Sequence, residues 1–109
     1  MSKKTGFVTV AQTSEIASGQ VKSVTVDEQA IGLANVDGQF YAFADVCTHD
    51  DGPLAEGDLD GRAIICPRHG ARFDIRTGEA LSRPASVDLA VHEVAIEGDD
   101  VLVRVSEDL

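Results

Sequence analysis

The sequence predicts an all-β fold, a sandwich or barrel of short antiparallel strands, in one domain spanning residues 1–109. Three observations carry this reading. Segments of alternating or β-branched character recur every ~8–12 residues between turn signals. An Asp37-Gly38 dipeptide, the strongest short hairpin signal, separates two of them. The only helical signal, Thr13-Ser14-Glu15-Ile16, reads as a short capped turn and cannot form a layer.

In chain order, residues 7–10 form a short first strand and residues 20–26 a longer one. Residues 30–36 and 39–43 flank Asp37-Gly38, with Tyr41 and Phe43 as core. Residues 62–65 run straight into Cys66, and residues 71–75 leave His69 and turn at Arg76-Thr77-Gly78. Residues 91–96 and 101–105 make a last hairpin across Gly98-Asp99-Asp100, with Val101, Val103 and Val105 on one face and Leu102 and Arg104 on the other. Residues 45–60 differ in kind. Asp45, Asp50, Asp51, Glu56, Asp58 and Asp60 crowd there without a Lys or Arg, and Gly52, Pro53 and Gly57 break regular structure, so the stretch reads as a long functional loop.

Composition narrows the function. A net charge of −10 argues against nucleic acid, whose phosphates demand Lys and Arg, and suits a partner with a basic surface. No apolar run approaches the ~20 residues of a membrane span. Met1-Ser2-Lys3-Lys4-Thr5-Gly6 is basic, but no apolar stretch follows, which predicts no signal peptide and a cytoplasmic protein. Cysteines in that compartment bind metal or do chemistry more often than they form disulfides.

Cys and His are scarce, yet four of the five fall into two matched pairs, Cys47-Thr48-His49 and, sixteen residues on, Cys66-Pro67-Arg68-His69. Pro67 bars a regular ladder and Gly70 tolerates unusual φ, so each pair sits on a loop. Thiolates favour zinc or iron–sulfur, and imidazole suits both metals. His92 reads as a half-exposed strand residue. The Asp50-Asp51 pair reads as solvated, and Arg68 and Arg72 as a balance to the acidic loop rather than a partner contact.

The C-x-H and C-x-x-H pairs, with Gly52-Pro53-Leu54 after the first and Phe73-Asp74 and Thr77-Gly78 after the second, resemble the Rieske [2Fe–2S] family from about residue 7 to 105. The resemblance implies an antiparallel β-sandwich whose cluster-binding subdomain, about residues 45–84, is formed by two ligand loops. It implies one [2Fe–2S] cluster, with Cys47 and Cys66 on the inner iron and His49 and His69 on the outer one, and Leu54 and Pro84 shielding it from water. Two neutral imidazoles in place of two thiolates leave the oxidised centre neutral instead of a dianion, which raises its potential. Respiratory-chain members carry a further disulfide between the ligand loops and donate Ser and Tyr hydroxyls to cluster sulfurs. Here Gly52, Arg68, Ala71 and Phe73 stand at those places. The missing donors imply the low end of the Rieske range, roughly −150 mV.

This pattern is similar to the ferredoxins of multicomponent aromatic-ring dioxygenases, which carry single electrons from a flavin-dependent reductase to a terminal oxygenase. The chain has no G-x-G-x-x-G or P-loop, and with His49 and His69 spent only His92 is left for a mononuclear iron site, so it reads as an electron-transfer protein and not an enzyme. The expected docking surface is His49, His69, Leu54 and Pro84, with acidic steering. Two alternatives stand beside it: the small subunit of an assimilatory nitrite reductase, and a zinc-stabilised Cys₂His₂ interaction module.

Overall fold

A computed structural model describes residues 6–26, 28–46, 53–67, 70–82 and 88–105. Its strands are β1 (Val8–Gln12), β2 (Val21–Val26), β3 (Gln29–Val36), β4 (Gln39–Ala44), β5 (Asp58–Asp60), β6 (Ala63–Ile65), β7 (Arg72–Asp74), β8 (Val91–Glu97) and β9 (Asp100–Arg104), with a 3₁₀ turn at Thr13–Glu15. They form two antiparallel sheets, one of six strands in the order β1-β9-β8-β4-β3-β2 and one of three in the order β5-β6-β7.

The turns follow from their residues. Asp37 and Gly38 have φ of 52° and 89°, and a two-residue hairpin turn with both φ positive is the I′ type that matches strand twist. The last hairpin is tighter than the sequence suggested. Glu97 pairs with Asp100, so Gly98-Asp99 alone makes the turn, with Gly98 at φ 61°.

Two cores flank the centre of the large sheet. The first lies inside the curl of the six strands, where β1 and β2 approach each other. It holds Ala11, Ile16, Val26, Ile31, Leu33, Ala42, Val101 and Val103. The second lies under the small sheet and holds Ala34, Phe43, Leu54, Ile64, Cys66, Ala71, Phe73, Ile75 and Leu89. Strand β3 serves both. Ile31 and Leu33 face one core and Ala34 the other, and the run from Ile31 to Asn35 is buried throughout. A strand buried on both faces reads as a continuous apolar run. Gly32 pairs with Phe43, and a Cβ at Gly32 would lie 2.4 Å from the Phe43 ring, so the glycine is the space the aromatic fills.

One buried polar side chain joins distant segments. Asn35 donates from Nδ2 to the Ile16 carbonyl at 2.7 Å and accepts at Oδ1 from Gly38 N–H at 2.8 Å. It pins the connection after the 3₁₀ turn to the β3–β4 hairpin.

One expectation is corrected. Residues 45–60 are not loop throughout, because Asp58–Asp60 pairs with Asp60↔Ala63 and Asp58↔Ile65 as an edge strand. Its two aspartates are exposed while Leu59 packs against the second core, the half-buried alternation an edge strand tolerates. Leu102 is on the opposite face from Val101 and Val103 but is buried as well, beside the small partners Thr9 and Ala95.

Candidate metal centre

Strands β6 and β7 position the second Cys/His pair. Ile65 pairs with Arg72, and the ladder continues one step further through Cys66 N–H, which donates to the Ala71 carbonyl at 2.7 Å. Gly70 N–H returns to the Cys66 carbonyl at 3.0 Å, with Gly70 at φ 77°. Cys66 and Gly70 are thus tied to each other across the connection from β6 to β7, with Cys66 its first anchored residue. Cys66 is 1% exposed, in the same buried cluster as Leu54, Ala71 and Phe73.

The first pair follows β4. Cys47 and His49 lie outside the described residues, as do Gly52, the Asp50-Asp51 pair, Arg68, His69 and Pro84. The two ends of their loop are described. Asp45 N–H donates to the Ala30 carbonyl at 3.0 Å, and Asp45 Oδ1 accepts from the N–H groups of Leu54 at 2.7 Å and Ala55 at 2.6 Å. Asp45 Oδ2 accepts from Ser23 Oγ at 3.0 Å. Gly57 N–H closes a turn onto the Leu54 carbonyl at 2.8 Å, and that turn sits against β6. A Cβ at Gly57 would lie 1.9 Å from the Ile65 carbonyl oxygen. The Leu54–Gly57 turn thus rests on the residue just before Cys66.

The segment after β7 folds back over the same sheet. Ala80 bridges Phe73, Leu81 N–H donates to the Arg72 carbonyl at 2.8 Å, and Leu89 N–H donates to the Gly78 carbonyl at 2.6 Å. Arg72 pairs with Asp60, which supports its reading as a balance to the acidic stretch. With side chains 37% and 66% exposed, the pair adds little stability. His92 is half-buried on β8 opposite Ala42, and burial lowers its pKa from 6.5.

Leu54 is 0% exposed, so it packs beneath the site and cannot be a docking contact, contrary to the sequence expectation. Pro53, Glu56, Pro67 and Gly70 are the exposed described residues of the two loops. Asp45 and Ser23 went unrecognised as site residues. The usable signal was an aspartate at the mouth of a Gly/Pro-broken loop, where carboxylates cap backbone amides.

The model of the Rieske [2Fe–2S] domain matches residues 6–103. The chain belongs to the Rieske [2Fe–2S] family. This Rieske domain is 40% identical to the ferredoxin component of the naphthalene 1,2-dioxygenase system of Pseudomonas aeruginosa, over 84% of this chain and 88% of that one. It is also 40% identical to the biphenyl dioxygenase ferredoxin subunit of Pseudomonas sp. (strain KKS102), over 92% and 93% of the two chains. Among solved structures it is similar to a chain from the complex of reduced oxygenase and oxidized ferredoxin in carbazole 1,9a-dioxygenase. There the TM-score is 0.88 at 36% identity, over 95% of this chain and 97% of that one.

Cys66 is the one expected ligand among the described residues, and its thiol, 1% exposed, offers the soft sulfur and dry surroundings that would suit a Rieske cluster, while Ala71 and Phe73 in the same buried group bring no hydroxyl. Among the described residues, no helix is long and apolar enough to cross a membrane.

Proposed function

We propose that this protein is the ferredoxin of a multicomponent aromatic-ring dioxygenase system, passing single electrons from a flavin-dependent reductase to a terminal oxygenase. One observation carries the reading. The chain is 40% identical to two dioxygenase ferredoxins and spans 88% and 93% of their lengths, so the likeness covers whole ferredoxins and not a domain of a larger enzyme. It acts as an electron-transfer component in the cytoplasm, and catalysis belongs to its partners.

In this reading residues 1–109 are one domain, and residues 45–84 bind the cluster. Cys47 and Cys66 hold one iron and His49 and His69 the other. When bound, the cluster takes up and gives back one electron. The chain keeps Cys66 from water, rests the Leu54–Gly57 turn on β6, and presents an acidic surface, with Glu56, Asp58 and Asp60 exposed. The zinc alternative falls with the family assignment.

Four measurements test the proposal. Dithionite-reduced protein should give an electron paramagnetic resonance signal with an average g below that of four-Cys clusters. His69→Cys should lower the potential by adding negative charge. Reduced protein should pass electrons to a ring-dioxygenase oxygenase and not to an assimilatory nitrite reductase. The opposite preference would move the chain to the nitrite system. Raising salt should slow transfer to the oxygenase, and a salt-independent rate would remove acidic steering.

A further inference from the structure

The Asp45 carboxylate occupies a place that the ligand motif leaves undescribed. It stands one residue after β4, at the start of the stretch that carries Cys47 and His49, and binds backbone beyond the far end of that stretch. Its own N–H is tied to the Ala30 carbonyl at 3.0 Å. Its Oδ1 takes the Leu54 and Ala55 N–H groups at 2.7 and 2.6 Å, across nine and ten residues of chain. Its Oδ2 takes the Ser23 hydroxyl at 3.0 Å from β2, the end strand of the large sheet. Leu54, whose N–H it holds, is fully buried in the cluster that contains Cys66. The next turn rests on the Ile65 carbonyl, one residue before Cys66.

We infer that Asp45, with Ser23 behind it, is the positioning residue that fixes the first ligand loop against the Cys66 hairpin and so sets the geometry and retention of the cluster. The inference rests on the proposed ligand set and adds to it a group that touches no iron. The physical case is direct. A carboxylate accepting two backbone N–H bonds and a hydroxyl makes charge-assisted hydrogen bonds, roughly twice as strong as neutral ones. Those bonds close a stretch whose sequence carries Gly52 and Pro53, residue types that disfavour a strand ladder. The hydroxyl of Ser23 orients the carboxylate so that Oδ1 faces the two amides. Partners one layer behind metal ligands act in this way, and their loss commonly costs 10–100-fold in metal affinity.

The test uses full-length, cluster-loaded protein and needs no partner. Asp45→Ala, Asp45→Asn and Ser23→Ala are compared with wild type in the rate of visible bleaching under an iron chelator, in the g-values of the reduced state and in the potential. Asp100→Asn is the charge control, since that carboxylate also accepts a hydrogen bond, from Gln12, in a different hairpin. Asp45→Ala should bleach at least about tenfold faster, with displaced g-values. Asp45→Asn keeps an acceptor oxygen for the two amides and should bleach at a rate nearer wild type than Asp45→Ala does. Ser23→Ala, which changes no charge, should bleach about threefold faster. Should Asp45→Ala not fold, Asp45→Asn and Ser23→Ala carry the decision.

A wild-type bleaching rate and wild-type g-values in all the folded variants overturn the inference. So does a lowered melting temperature with unmoved g-values and bleaching, which is a merely structural role. A potential shift equal in Asp45→Asn and Asp100→Asn, without a change in bleaching, reduces Asp45 to its charge and overturns it as well. Wild-type protein that holds no iron and no acid-labile sulfide would instead defeat the ligand assignment beneath it.

Discussion

Gly78 combines a left-handed φ with a backbone atom in the place of a Cβ, and the cost of filling it can be worked through. The residue sits at φ 86°, which costs a residue with a side chain about 1–2 kcal/mol. Its N–H donates to the Asp74 carbonyl and its carbonyl accepts from Leu89 N–H, both at 2.6 Å. A Cβ there would lie 1.9 Å from the Leu89 carbonyl oxygen, so the 78–89 contact must open by more than an ångström. Losing one of those hydrogen bonds adds about 1 kcal/mol, and the displaced Leu89 loses part of its burial, roughly another 1 kcal/mol. Gly78→Ala should therefore cost about 3–4 kcal/mol, against a total of about 5–15 for a domain. The melting temperature should fall by roughly 12 °C or more. Gly98→Ala isolates the conformational part, because Gly98 has φ 61° and nothing within 4 Å of its would-be Cβ. It should cost about 1 kcal/mol after the gain from a stiffer unfolded chain. Urea midpoints by far-ultraviolet circular dichroism, with visible absorbance recorded in parallel, measure both. Equal losses in the two variants would refute the claim that the Leu89 carbonyl, and not backbone handedness, makes this glycine obligatory.

Phe73→Tyr should raise the potential by about 40–60 mV if its hydroxyl reaches a Cys sulfur, from a hydrogen bond of about 1–1.5 kcal/mol that strengthens on reduction. Voltammetry on the folded variant reads this, and an unchanged value removes the donor argument. His92 has a pKa lowered by burial, so the unfolded chain takes up its proton first as pH falls. Its contribution to stability is intact above the unfolded value of 6.5 and is lost as pH drops from 6.5 toward the folded value. The stability difference between pH 7.5 and 5.5 should thus be smaller in His92→Gln than in wild type, and an equal difference would assign the slope to other groups. Glu28 lies just before Gln29, the partner of Val26 across the β2–β3 pair, and has φ 70°. Glu28→Asn, which tolerates that conformation, should gain about 0.5–1 kcal/mol in a urea melt.

The strands that were legible in the sequence are those with a repeated local signal. The β3–β4 hairpin was announced by Asp37-Gly38, whose positive φ values are the reason that pair was selected. The alternation of β9 was legible too, down to the buried Val101 and Val103. Strand β5 was not. Asp58-Leu59-Asp60 is short and acidic, and it is a strand only because β6 offers it a ladder and the second core takes Leu59. A tertiary partner overrode local preference there. The burial of Leu102 is of the same kind, since only small neighbours across the strands make room for it.

The site divides along the same line. Its cofactor was legible because two Cys and two His at fixed spacing admit few metals, and the family assignment agrees with the cluster read from them. Its placement was not, because placement depends on backbone groups that carry no residue-type signal. The Ile65 carbonyl decides that residue 57 must be glycine, and the Leu54 and Ala55 amides decide that residue 45 must be a short acceptor. Asparagine has the same reach but lacks a second acceptor for the Ser23 hydroxyl. Glutamate is one methylene longer and would push the 54–55 amides away from the sheet that anchors them. The acidic residues of this region therefore do unlike things under one appearance. Asp45 is consumed by backbone, Asp60 is spent on Arg72, and Asp58 is exposed at a sheet edge. A net charge read from the sequence counts them as equals, whereas the field a partner meets is set by those left facing water.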